Sequence, residues 1–132
     1  MLVIDSSVLV AALVTKGPVG TWAENVLTSE PLAAPHLMPV EVANILRKSV
    51  LMGDISRDNA SAAHLDLVSL PVELFPYQPF AERVWELRSS LTAYDAWYVS
   101  LAEYLEAKLA TLDIKLTRSG ALKCETMVPP NG

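Results

Sequence analysis

One cysteine, Cys124, stands among 132 residues, so no internal disulfide can form and a reducing compartment fits the chain. With only two histidines beside it, a zinc centre of the Cys/His kind is excluded. Neither His36 nor His64 has the partnered serine or cysteine that nucleophilic catalysis needs. Long apolar runs are also missing. The longest, Val8 to Val14, falls far below the roughly 20 residues a membrane-spanning helix requires. The first residues carry no basic segment, and Asp5 interrupts any signal-like apolar stretch, so a cytoplasmic protein without a membrane span is expected. Basic excess is lacking too. Ten Lys and Arg face 15 Asp and Glu, a net charge of −5, the reverse of the footprint that broad phosphate binding normally leaves.

What is present is apolar: 52% of the residues are hydrophobic, enough for a generous core in a single domain spanning 1–132. No repeat, low-complexity tract or linker divides it. The chain is organised around MLVIDSSVLVAAL at its start. Leu2, Val3 and Ile4 suit a strand buried on both faces, Ser6 and Ser7 are candidate caps for a helix from Val8 onward, and Asp5 is delivered to the strand's carboxyl end. In open parallel sheets that edge is where ligands bind.

Helical and extended segments then alternate. A second helix is expected from Val19 to about Ser29, with Trp22, Val26 and Leu27 inward, and a short strand over Leu32 to Ala34. Pro39 suits the first turn of a third helix with the stripe Val42, Ile45, Leu46 and Leu51, closing at Gly53 and carrying Glu41 in that turn. Ser56 marks the cap of a fourth helix in which Ala60, Ala63, His64 and Leu67 share a face, with His64 as a packed histidine. A strand over Leu70 to Leu74 precedes a fifth helix from Pro79 to about Ser89, its stripe of Phe80, Val84 and Leu87 widened by Trp85. Thr92 reads as an N-cap with Asp95 three residues on, before a stripe of Ala96, Trp97, Ser100, Leu101 and Tyr104. Lys108 to Thr111 forms a strand reaching Asp113, a short helix follows near Leu116, and Glu125 to Val128 is an edge strand.

This β-α-β-α alternation implies an α/β sandwich around a mostly parallel sheet of four or five strands with right-handed crossovers. Two acids then follow strands, Asp5 and Asp113, and two lie in first helical turns, Glu41 and Asp95. If those helices start at one sheet edge, all four carboxylates meet there. Each acid alone has a plain structural explanation, since a carboxylate in a first helical turn gains about 0.3 to 1 kcal/mol from the dipole and Asp113 suits a turn. Asp5 is costlier, because a charge directly after a buried strand must be solvated, paired or metal-bound. The argument rests on the set.

Those residues carry a resemblance. LVIDSSVL, PVEVANIL, LTAYDAWYVSLAEYL and LATLDIKL, in that order, resemble the PIN-domain ribonucleases, most closely the VapC-type toxins of bacterial toxin–antitoxin pairs. The resemblance covers essentially the whole chain and implies a three-layer α/β/α sandwich. It carries the family's acidic quartet onto Asp5, Glu41, Asp95 and Asp113, and the hydroxyl near the first acid onto Ser7. The further acidic or amide residue of some relatives is missing here between Ile114 and Lys123. The implied activity is metal-dependent RNA hydrolysis. The implied partners are a cognate antitoxin that blocks the site with an extended, often basic segment and wraps the toxin's helices, and a second copy in a homodimer. The apolar surplus is consistent with both, including an antitoxin groove around Val40 to Leu67.

The chemistry suits the residues. Mg²⁺ or Mn²⁺ prefers oxygen ligands and keeps several waters, leaving room for phosphate and nucleophile. Asp5, Asp95 and Asp113 are the expected metal ligands, with Glu41 a ligand or a water-orienting base. Four acids committed to metal would leave 11 against 10 Lys and Arg, so the net charge is compatible with an RNA substrate. Accessory candidates are Ser7, Asn44, one turn after Glu41, and Tyr94, beside Asp95; Trp97, Tyr98 and Tyr104 read as core or interface. Arg47, Lys48 and Arg57 read as solvated helix residues. Two other functions are weighed: a receiver-like Mg²⁺-binding signalling domain, which the Leu74, Phe75, Pro76 stretch at the third strand's end disfavours, and a non-catalytic PIN-like binding module, which the intact quartet disfavours.

Overall fold

Strand β1 (Leu2–Ile4) is buried along its whole length, and its branched side chains are explained by its central place in the sheet. The structure is a computed structural model that describes residues 1–130; the last two residues of the expected 1–132 span lie outside the described residues. β1 pairs in parallel with β2 (Leu32–Pro35) on one side and β4 (Lys108–Ala110) on the other, so that Val3 stands level with both Ala33 and Leu109. Beyond them lie β3 (Val72–Phe75) and β5 (Thr126–Met127), giving a parallel sheet in the order β3-β2-β1-β4-β5.

Helices cover both faces, as parallel crossovers demand. Helices α1 (Ser6–Val14), α2 (Pro18–Ser29), α3 (Met38–Leu51) and α4 (Arg57–Ser69) pack on one another in one layer. A 3-10 turn (Gln78–Phe80), α5 (Ala81–Glu86) and α6 (Ala93–Leu105) form the other, with α6 lying across β1, β2 and β4. The short α7 (Ile114–Thr117) connects β4 to β5. This is the expected three-layer α/β/α sandwich. Among the described residues no helix is long and apolar enough to cross a membrane.

The order of strands locates the functional edge. The chain steps outward from β1 to β2 to β3, then returns across the sheet to β4, so the direction of winding reverses between β1 and β4. At such a switch point the loops leave in opposite directions and open a crevice at the carboxyl ends. Asp5 follows β1 there, and Thr111 to Asp113 follow β4. A receiver-type sheet places its third strand beside the first; here β3 is an edge strand, which rules that reading out.

Several local expectations need correction. Asp5 itself caps α1, so Ser6 and Ser7 lie inside the first turn. β2 runs on to Pro35, and β3 begins at Val72 rather than Leu70 because Pro71 lacks the N–H a ladder uses. The fifth helix is broken into a 3-10 turn and a short α-helix, with Phe80, Val84 and Leu87 still inward. Leu51, Trp85 and Tyr104 point outward, and His64 is exposed. His64 fails as a core residue because α4 lies on the outside of its layer and buries only the i, i+4 pair Ala63 and Leu67. Tyr104 is displaced because α6 is inward over Ala96 and Tyr98 to Ala102, a broader face than one stripe.

Gly20 sets how closely α2 approaches α1. A Cβ at Gly20 would stand 1.9 Å from the carbonyl oxygen of Thr15, the residue that ends α1. Backbone cannot yield as a side chain can, so Gly20→Ala should destabilise the protein by about 1–3 kcal/mol despite alanine's better helix propensity. Urea unfolding of the two proteins measures this; an unchanged midpoint would show that the α1–α2 contact adjusts freely.

Candidate active site

Two acids arrive at this edge on strand ends and two on helix starts. Asp5 leaves β1 and turns its side chain back as the cap of α1: its Oδ1 accepts hydrogen bonds from the Val8 N–H at 3.2 Å and from the Ser7 hydroxyl at 2.5 Å. Its Oδ2 accepts from the Thr111 hydroxyl. Ser7 Oγ accepts in turn from the Leu112 N–H at 3.1 Å, and Thr111 Oγ1 from the Asp113 N–H at 3.0 Å. Asp113 caps α7 by accepting from the Leu116 N–H at 3.2 Å. Two hydroxyls thus tie the end of β1 to the end of β4.

The other pair comes from the two helical layers. Glu41 stands in the first turn of α3, where its Oε1 accepts from the Tyr98 hydroxyl of α6 at 2.6 Å. Asp95 lies in the first turn of α6, where Thr92 caps the helix by accepting from the Asp95 N–H at 3.1 Å. Each of the four acids therefore sits at a helix N-terminus, whose exposed N–H groups favour negative charge.

The acids influence one another in pairs: Glu41 feels Asp5 and Asp95, and Asp95 feels Asp113. Burial pushes the Asp5 carboxyl above its ordinary range, against the opposing hydrogen bonds from Ser7, Thr111 and the backbone. Burial likewise raises Glu41; the Tyr98 hydroxyl opposes this, while the charges of Asp5 and Asp95 add to it. Asp95 is raised by burial and then by the charge of Asp113, with Thr92 opposing. Burial and the Glu41 carboxylate hold the Tyr98 phenol far above its usual value, so it stays a donor. Among the described residues no Lys or Arg pairs with any of the four acids, since the ion pairs of Arg83, Lys108 and the amino terminus lie elsewhere.

Uncompensated oxygen donors around one crevice fit a hard divalent cation. A carboxylate offers about four lone-pair directions. Asp5 uses three of its own on Ser7, Val8 and Thr111, which leaves one on Oδ2, while Glu41 and Asp113 each use one. Among those residues no three acids stand close enough to form a ready-made ion cage. The donors fit the ion in kind and in free capacity.

Of the accessory candidates, only Ser7 is woven into this network. Asn44 is exposed on α3, and Tyr94 is 60% exposed beside Asp95, open to whatever occupies the crevice. His36 is exposed at the end of β2. Sequence reasoning missed two members. Thr111 is fully buried, a polar residue at the end of an apolar strand and two positions before Asp113, which was the available signal. Tyr98 is buried as expected of a core residue, but its i, i+3 spacing from Asp95 also takes its hydroxyl to Glu41.

Residues 2–122 match the PIN domain family. The chain belongs to that family. Its PIN-domain relatives include ribonuclease VapC9 of Mycobacterium tuberculosis, 35% identical over 130 residues that span 98% of this chain and 99% of the relative. Ribonuclease VapC1 of the same organism is 38% identical over 124 residues, 93% of each chain. Among solved structures, PAE2754 from Pyrobaculum aerophilum superposes with a TM-score of 0.72 at 25% identity, over 95% of this chain and 81% of that one.

The raised carboxyls of the PIN crevice have a thermodynamic signature. The unfolded chain releases the Asp95 proton at the ordinary carboxylate value while the folded protein holds it to higher pH, so Asp95 disfavours the fold progressively as pH rises. In EDTA, Asp95→Asn should match wild type in acid and gain stability over it as pH climbs through the raised value, with Mg²⁺ restoring the wild type. Urea unfolding across a pH series reads this; a difference that does not change with pH would mean that Asp95 feels neither burial nor Asp113.

Proposed function

We propose that this PIN-domain protein is a Mg²⁺- or Mn²⁺-dependent endoribonuclease and the toxin of a type II toxin–antitoxin pair. The observation that supports the reading is the set of four acids at the switch point of the sheet: Asp5, Glu41 and Asp113 accept hydrogen bonds from neutral donors, and among the described residues none of these or Asp95 is paired with a cation. Relatives bearing the name ribonuclease align over nearly the whole chain. Asp5, Asp95 and Asp113 would hold the ion or ions, and Glu41 would orient the attacking water. When bound, a divalent ion activates water and stabilises the charge that builds on phosphate and leaving oxygen. The protein's own part is positional. Ser7 and Thr111 keep Asp5 turned toward the crevice, Thr111 fixes the backbone of Asp113, and Tyr98 holds Glu41. Tyr94 and Asn44 are exposed and would meet the RNA.

The partners follow from surface and charge. Val40, Leu51, Met52, Leu65 and Val68 are each more than 60% exposed on or beside α3 and α4, an apolar surface that an antitoxin's helix would cover while its basic segment enters the acidic crevice. Homodimerisation would cover further apolar surface, and the cytoplasm is the expected place of action.

Purified protein freed of antitoxin should cleave RNA with Mg²⁺ or Mn²⁺ and stop in EDTA. Asp5→Asn should lower the rate by about two orders of magnitude or more, in keeping with the several kcal/mol of charge stabilisation a bound ion supplies. Its amide still caps α1, so melting should show a folded protein. Cleavage that ignores both EDTA and Asp5→Asn would overturn the reading, as would RNA binding without cleavage under either metal, the behaviour of a binding module.

A further inference from the structure

The Tyr98 phenol is a core residue with a polar end, and what it meets in the core is informative. Its side chain is 4% exposed, and the hydroxyl donates to Glu41 Oε1 at 2.6 Å across 57 residues of chain, from α6 in one helical layer to α3 in the other. A buried hydroxyl is costly without a partner, and one bonded to a carboxylate is short and strong. Phenylalanine would fill the same apolar space without this cost. Ser6, in the first turn of α1, lies beside the same hydroxyl.

Among the described residues Glu41 rests on this bond alone. Asp5 has three donors and Asp113 is clamped as a helix cap, whereas Tyr98 is the single donor to the Glu41 carboxylate among the described residues. Glutamate also has the longer stem, with rotamer freedom worth about 1.5–2 kcal/mol to be restricted. The charges of Asp5 and Asp95 also disfavour a charged Glu41. One neutral donor from the opposite layer restricts the stem and favours the charged form.

We infer that Tyr98 is a positioning residue for Glu41: its hydroxyl pins Oε1 and so leaves Oε2 as the oxygen presented to the ion or its water. The inference rests on the metal-dependent reading proposed above. A lysine in the same place would hold Glu41 as firmly but neutralise it; a phenol holds it and leaves the charge intact. Tyr98 touches neither substrate nor ion, so its effect runs entirely through Glu41.

The test is a double-mutant cycle on the full-length protein. Tyr98→Phe should remain folded, weaken Mn²⁺ binding measured by calorimetry without RNA, and lower kcat with KM little changed, each by about ten- to a hundredfold, the usual effect of losing a partner that orients a metal-site residue. In a Glu41→Ala background, which has no acceptor for the phenol, the same substitution should have almost no further effect. Full additivity, or wild-type kcat and Mn²⁺ affinity in Tyr98→Phe, overturns the inference. Should Tyr98→Phe fail to fold, NMR of the wild type decides: the Tyr98 hydroxyl proton should shift during Mg²⁺ titration with the midpoint of ion binding, and a resonance that stays put overturns it. If the wild type shows no metal-dependent cleavage, the ribonuclease reading has failed; wild-type cleavage with an unaffected Tyr98→Phe rejects the positioning role alone.

Discussion

A carboxylate at the end of the central buried strand is the constraint on which the rest of this structure depends. β1 has strands on both sides and helices on both faces, so Asp5 emerges where water has little access. An ionised group there must be compensated or the fold is destabilised. The chain compensates it three times, through the Val8 N–H, the Ser7 hydroxyl and the Thr111 hydroxyl. The first two come with α1, which begins at once and turns its N-terminus toward the acid it has just passed. The third comes from β4, more than a hundred residues later, and requires that β4 lie beside β1. Sheet order and site are therefore one requirement: had β4 been placed at an edge, Asp5 would lack Thr111 and the crevice would lack Asp113.

The two helical layers add the other acids by the same rule. α3 follows β2 and α6 leads into β4, so each starts at the carboxyl edge of the parallel sheet, and Glu41 and Asp95, each in a first turn, lie at that edge in opposite helical layers. Their N-termini supply favourable dipoles, yet burial and mutual repulsion still raise Glu41 and Asp95. The fold thus accommodates an unfavourable concentration of charge with the apolar surplus of its core, where Leu2, Ile4, Leu9, Leu101 and Leu109 are almost wholly buried. Such local cost at a functional site, balanced by packing elsewhere, is what separates a site from a surface patch of acids.

Much of this was legible in the sequence because the strongest signals were also the most local. The period change at LVIDSSVL, the proline before VEVANIL and the Thr92-to-Asp95 spacing each fix an element and place an acid at its start. Outward-facing residues were harder. Leu51, Trp85, Tyr104 and His64 fit helical stripes by spacing, but which side of a helix is buried depends on the breadth of the neighbouring layer, which spacing does not encode. Thr111 and Tyr98 were hidden for a related reason: each looks like part of an apolar element, and only the meeting of distant segments shows where its hydroxyl goes.

The choice of supporting groups explains how the site keeps its charge. Ser7, Thr111 and Tyr98 are neutral donors, so they fix the acids while subtracting nothing from their negative potential. Elsewhere the same protein does the opposite: Arg83 grips Glu103 with two hydrogen bonds, at 2.8 and 3.1 Å, and drives that carboxyl below its usual range. Glu103 is thereby spent on structure, joining α5, α6 and, through the Lys123 N–H, the segment before β5. A carboxylate neutralised in this way has little left to offer a cation, whereas one restrained only by hydroxyls and N–H groups retains its full charge and its spare lone pairs. The contrast between Glu103 and Glu41, two glutamates each held by a single side chain, is therefore a chemical distinction between a carboxylate neutralised by its partner and one left charged.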